Sequence, residues 1–137
     1  MTSAQTVFDI AIKLMDEQDE ATGATKTQDT AEYEHRTIDI LNSLRHECYL
    51  YSDTFAPRED GRRPICAEVK AMSDTLDLDD AIAQGALPYG LASRLLLGEN
   101  DSLASFFQQL YEEKLALFGR TCPAQFESIP LYYGWLN

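Results

Sequence analysis

Few side chains in this chain could do chemistry: two histidines, His35 and His46, three cysteines, Cys48, Cys66 and Cys122, and several adjacent carboxylates. Glu32 and His35 make one E-x-x-H, the spacing used by di-iron helical bundles. That chemistry needs a second copy and two more carboxylates converging on it, and the sequence holds no second copy. His35 and His46 are eleven residues apart, so on one helix they stand about 16 Å from each other, too far to share a metal. The cysteines are odd in number, widely spaced and lack a C-x-x-C. They read as reduced, buried hydrophobes rather than as a disulfide framework, a zinc knuckle or nucleophiles. Acid pairs such as Asp16 with Glu17, Asp79 with Asp80 and Glu112 with Glu113 are sequence neighbours; neighbours point apart, which fits solvated charge rather than paired general acid and base. There is no glycine-rich phosphate loop and no nucleophile elbow. The expectation is therefore no catalytic residue, no cofactor, no metal and no small-molecule substrate. A small helical metal-binding protein built on Glu32, His35 and His46 is the alternative.

The elements that must carry these residues read as helices. Val7, Ile10, Ala11 and Leu14 recur at helical spacing, with Thr2 or Ser3 available as N-cap, and predict a first helix over residues 3–16. The polar stretch that follows holds Gly23 and no apolar period, which predicts a mobile loop with its charges in water. Tyr33, Thr37, Ile40, Leu41, Leu44, Cys48 and Tyr51 form one stripe of a long second helix over residues 29–51. Residues 55–64 contain Pro57, Gly61 and Pro64 and carry Arg58, Arg62 and Arg63, an exposed loop with a local basic cluster. Residues 65–76 are ambiguous, with a short strand and a turn as one reading.

Asp77 or Asp79 can cap a helix that begins LDDAIAQGAL. Pro88 should break it near Leu87, with a restart at Pro88 or Tyr89 and a C-cap at Gly98. Asp101 caps the next helix, whose stripe is Leu103, Phe106, Phe107, Leu110, Tyr111, Lys114 and Leu117, and which Gly119 should end. Burying such a stripe stabilises by about 1.5 to 3 kcal/mol per large side chain, so the last two helices should pack as an antiparallel hairpin. The remaining segment bears two prolines and the aromatics Phe126, Tyr132, Tyr133 and Trp135. It has two readings: a strand folded back on its own helices, or a docking arm that adds to a neighbouring subunit. The predicted fold class is mainly all-α, a small bundle of about four to five helices with a long second helix, a C-terminal helical hairpin and an extended or β-prone tail. Residues 1–137 are expected to form a single domain, with residues 119–137 as an arm within it.

Charge and hydropathy narrow the function class. A net charge of −12 disfavours general phosphate binding and specific nucleic-acid readout; it serves solubility or lets DNA slide past without sticking. The first residues have too short an apolar run and the wrong flanking charge for a signal peptide. No run approaches the roughly 20 apolar residues of a membrane span, so no membrane partner is expected.

The order of parts resembles the bacteriophage head-tail connector, or head-completion adaptor, proteins. The segments that carry the resemblance are VFDIAIKLMDE, IDILNSLRHECYLY and ALPYGLASRLLLGENDSLASFFQQLYEEKLALF, followed by the Pro-bearing aromatic tail. The ALPYGLASRLLLGENDSLASFFQQLYEE segment also looks like uncharacterised proteins encoded beside portal and capsid genes in tailed phages and prophages. The resemblance implies a non-enzymatic assembly protein, free in the bacterial host cytoplasm and then part of the virion at the head-tail junction. It would form a homo-oligomeric ring under the portal protein, extend the DNA channel and offer a surface to tail or stopper proteins. Arg58, Arg62, Arg63, Phe126, Tyr132, Tyr133 and Trp135 would be its contacts. The alternative within the same setting is another packaging or tail-completion accessory factor.

Overall fold

A computed structural model describes residues 1–121 and shows a small all-α bundle. In chain order, the described residues form α1 (Ala4–Leu14), α2 (Ala31–Tyr49), α3 (Asp80–Gly85), α4 (Leu87–Leu96) and α5 (Asp101–Thr121). No strand occurs among them; residues 65–76, read as a possible short strand, contribute only an isolated antiparallel bridge between Thr75 and Ser3. No described helix is long and apolar enough to cross a membrane. Of the predicted arm over residues 119–137, residues 119–121 instead continue α5, and residues 122–137, with Phe126, Tyr132, Tyr133 and Trp135, lie outside the described residues.

The helix ends follow from local chemistry. Ser3 caps α1, its hydroxyl accepting from Thr6 N at 3.2 Å. The next amides, which lack intrahelical partners, go elsewhere: Ala4 N donates to Asp74 O at 2.9 Å and Gln5 N to Met72 O at 2.8 Å. The buried face of α1 is Ala4, Val7, Phe8, Ala11 and Ile12, rotated from the expected one because Ile10 and Leu14 are only partly covered. Asp79 caps α3 by accepting from Ile82 N at 3.0 Å. The break before α4 falls at Ala86, one residue earlier than the proline alone suggests. Pro88 then sits at the second position of α4, where a missing N–H leaves no intrahelical bond unmade.

The loop between α1 and α2 is more ordered than its polarity suggests. Its acidic residues Asp16, Glu17, Asp19 and Glu20 are exposed, as expected. Yet the Thr25 hydroxyl donates to Asp9 at 2.7 Å, and buried Thr30 donates to Thr25 O at 2.7 Å. The longer connection, residues 50–79, is held by side chains and by the backbone bonds of residues 72–76 to the start of α1, not by a sheet. Asn42 on α2 donates to Val69 O at 2.7 Å and accepts from Val69 N at 2.8 Å, offering the chain what a neighbouring strand would. Arg45 donates to its own helix at Asn42 O and across to Cys66 O.

α4 is the centre of the bundle, packed on by α5, α1, α2 and α3. Eight of its ten residues are buried, so it has no polar face to orient it. α5 lies against it in the expected hairpin, joined by residues 97–100 with Gly98 at a left-handed φ of +93°. Asn100, and not Asp101, takes the cap position of α5, accepting from Leu103 N at 3.1 Å; Asp101 instead accepts from Gly98 N. The buried stripe of α5 is Ala104, Phe107, Tyr111 and Leu115, while Phe106 and Leu117 remain 54% and 55% exposed. The helix does not end at Gly119 but continues to Thr121.

Close approach decides one position in particular. A Cβ at Gly90 of α4 would lie 2.9 Å from Tyr111 Cδ1 and 3.2 Å from Leu44 Cδ1. Tyr111 is fully buried and has nowhere to swing. Gly90→Ala should therefore lower stability by about 1 kcal/mol, since overpacking costs about 1 to 3 kcal/mol and exceeds the roughly 1 kcal/mol gained in helix propensity. Asn42→Ala, which strands both backbone groups of buried Val69, should cost about 2 to 4 kcal/mol. Urea denaturation midpoints of the two variants against the parent chain check both values.

Candidate functional site

The groups with chemical potential are dispersed by the fold. His35 and His46 both lie exposed on α2. Glu32 reaches Arg36 at 3.9 Å, the next turn of the same helix, and forms no cluster with His35. Among the described residues no three His, Cys, Asp or Glu side chains come close enough to hold a metal ion. Adjacent carboxylates diverge: Asp79 turns to Ile82 N and to Asp53 N at 2.9 Å, whereas Asp80 accepts from the Thr2 hydroxyl at 2.7 Å.

Cys48 and Cys66 are buried free thiols, as their spacing suggested. Cys48 shares a hydrogen bond of 3.3 Å with the Tyr111 hydroxyl, which also donates to Glu47 at 3.5 Å. Burial pushes the Cys48 thiol up to about 12, against a lesser opposing effect from the Tyr111 contact. Cys66 is raised too, first by burial and then by Asp77, whose carbonyl its thiol faces at 3.7 Å. Tyr111 is held protonated by burial and by the neighbouring Cys48, and Tyr33 by burial and its hydrogen bond to Glu99. Thiols raised in this way are poor nucleophiles at neutral pH; these four groups serve packing and internal hydrogen bonding.

What the described surface does offer is a basic loop and a cavity at one end of α2. The arginine loop wraps on Asp60, whose carboxylate pairs with Arg58 and accepts from Arg62 N at 3.0 Å, with Arg62 Nε 4.0 Å away. The left-handed Gly61, at φ +73°, makes that turn possible. So the predicted basic cluster is partly neutralised by its own acid, and only Arg63 faces elsewhere. Arg63, together with His46, Tyr49, Leu50 and Pro64, lines a cavity of about 320 Å³. Tyr49 is set in its wall by Phe55, their ring centroids 5.3 Å apart.

Leu50, 66% exposed, and Ile65, 68% exposed, were missed as surface residues. Leu50 had a readable signal: it stands two residues after Cys48, about 200° around the helix from the buried stripe. Tyr51 was expected to end that stripe but is 41% exposed, because α2 stops at Tyr49 and the ring turns instead onto α5. There it lies so close to Gly119 that a Cβ would stand 2.4 Å from Tyr51 Cδ1. The structure thus groups Arg63 with Leu50 and His46, and Arg58 with Arg62. The four aromatic contacts predicted in the tail lie beyond the described residues.

Comparison with family models, with curated proteins and with solved structures returns no match.

Alkaline pH should destabilise the fold through the buried hydroxyls and thiol. The folded-state value of Cys48 lies above its ordinary 9.0, so its contribution is whole below about pH 9 and is lost as pH rises toward about 12. Tyr33 and Tyr111 are shifted in the same direction. Denaturation midpoints measured across the alkaline range should fall in the parent chain and fall less steeply in Cys48→Ala.

Proposed function

We propose that this chain is a non-enzymatic assembly protein of tailed phages, a head-tail connector subunit that docks under the portal as a ring and extends the DNA channel. The observation that supports this most is how the described residues are used. Thiols and most tyrosines are spent inside the bundle, while exposed Leu50, Ile65 and Arg63 gather at the end of α2 beside a cavity. Apolar anchors with a cationic rim are the ingredients of a protein interface. The resemblance of the ALPYGLASRLLLGENDSLASFFQQLYEE segment and of the order of helices supplies the phage setting.

In this reading the hairpin of α4 and α5 is scaffold, and the arginine loop with the aromatic arm supplies contacts to portal, neighbouring subunits, and tail or stopper proteins. The net charge of −12 suits a ring through which DNA passes, because an acidic lining repels phosphates and does not trap them. The protein would be cytoplasmic in the host until it joins the virion at the head-tail junction.

The test is electron microscopy and sedimentation of the full chain mixed with its cognate portal protein. A ring seated on the portal is the expected result. A strict monomer with no affinity for that portal would falsify the reading. Arg63→Glu, which leaves the core untouched, should weaken portal binding by about tenfold, mainly through slower association.

A further inference from the structure

The cavity at the end of α2 lies beside the point at which the described chain ends. Gly119, in the last turn of α5, sits directly beneath the Tyr51 ring. Tyr51 is the neighbour of Leu50, which lines the cavity, and consecutive Cα atoms are about 3.8 Å apart. The described chain therefore ends near this cavity and its exposed Leu50, which among the described residues stays largely uncovered. Sixteen residues follow, 122–137; extended, they reach about 50 Å, far more than the cavity requires.

Their composition matches that surface. They include Phe126, Ile129, Leu131, Tyr132, Tyr133 and Trp135, and their one charged side chain is Glu127. The cavity, at about 320 Å³, has room for aromatic side chains, and each of these buries roughly 150 to 250 Å². At its edge stands exposed Arg63, which is paired with no described carboxylate. A ligand tethered one short span away is present at an effective concentration in the millimolar range, which favours the chain's own segment over a second molecule.

We propose that residues 122–137 of the same chain dock over the Leu50 end of α2, seating aromatic side chains in the cavity, with Glu127 as the acidic partner of Arg63. In the free subunit the aromatic arm and the arginine loop then satisfy each other. The inference does not rest on the phage role: the docking can fail while portal binding holds, and the reverse.

Trp135 is the only tryptophan in the chain, so its fluorescence reports the arm directly in the full-length protein. At dilutions where sedimentation gives a monomer, its emission should be blue-shifted and shielded from acrylamide. Leu50→Glu should weaken docking by about tenfold or more, because it removes one large apolar anchor; emission then moves to the red and quenching rises. Leu50→Met should keep the shielding, and Phe106→Glu on the exposed side of α5 should leave it unchanged. Circular dichroism showing parental helicity in each variant separates undocking from unfolding. Four results overturn the proposal: an exposed Trp135 in the parent monomer, shielding that survives Leu50→Glu, shielding lost equally in Phe106→Glu, or shielding that disappears as the protein is diluted.

Discussion

Every other helix packs on α4, and α4 can accept them because of its small residues. Gly90 lets the Tyr111 ring and Leu44 meet the helix backbone from two directions. Ala92 is buried beside Leu91, and Ser93 returns its hydroxyl to Ala104 O at 2.8 Å, so even its polar side chain is bound to α5. A ten-residue helix is too short to persist alone in water; α4 is helical because its neighbours enclose it, and they are placed because it is narrow. That mutual dependence makes the bundle one cooperative unit.

The arrangement of polar groups follows from the same enclosure. With the hairpin and α1 arranged around α4, residues 50–79 must cross the outside of the bundle without a sheet to join. Their backbone groups are satisfied one at a time, by Asn42 at Val69, by Arg45 at Cys66 and by the Thr54 hydroxyl at Asp77 O. Buried Cys66, Val69, Leu76 and Leu78 fix the segment to the core between those bonds. Order without regular secondary structure is the result, and it presents the arginine loop and Ile65 at a defined place rather than on a free strand of chain.

Helix existence was legible because α1, α2 and α5 have apolar periods, and Pro88, at the second position of α4, marks that helix's start. Which residues faced inward was less legible. In α5, Leu103, Phe106 and Leu110 run one position ahead of buried Ala104, Phe107 and Tyr111. Two apolar stripes side by side have no unique inward face until a partner chooses one, and Gly90 makes that choice by admitting Tyr111. The hold of Asn42 on Val69 had no signal at all, since an asparagine in mid-helix reads as a surface residue. For the candidate surface, Arg58, Arg62 and Arg63 were visible as a cluster, but Asp60 looked like one more loop charge and not the hub that two of them turn around. The cavity itself joins residues from two separate segments, a proximity that depends on tertiary packing.

The first turn of α1 has a consequence for how the molecule opens. Its amides at Ala4 and Gln5 are bonded to carbonyls at Asp74 and Met72, and Leu76 N returns a bond to Thr2 O. A helix start ordinarily frays on its own, within nanoseconds and at almost no cost. Here fraying would also release Leu76 and the irregular segment behind it. The amide protons at the start of α1 therefore belong to the same exchange class as those of residues 72–76, and the loop and the helix are lost to solvent in a single event.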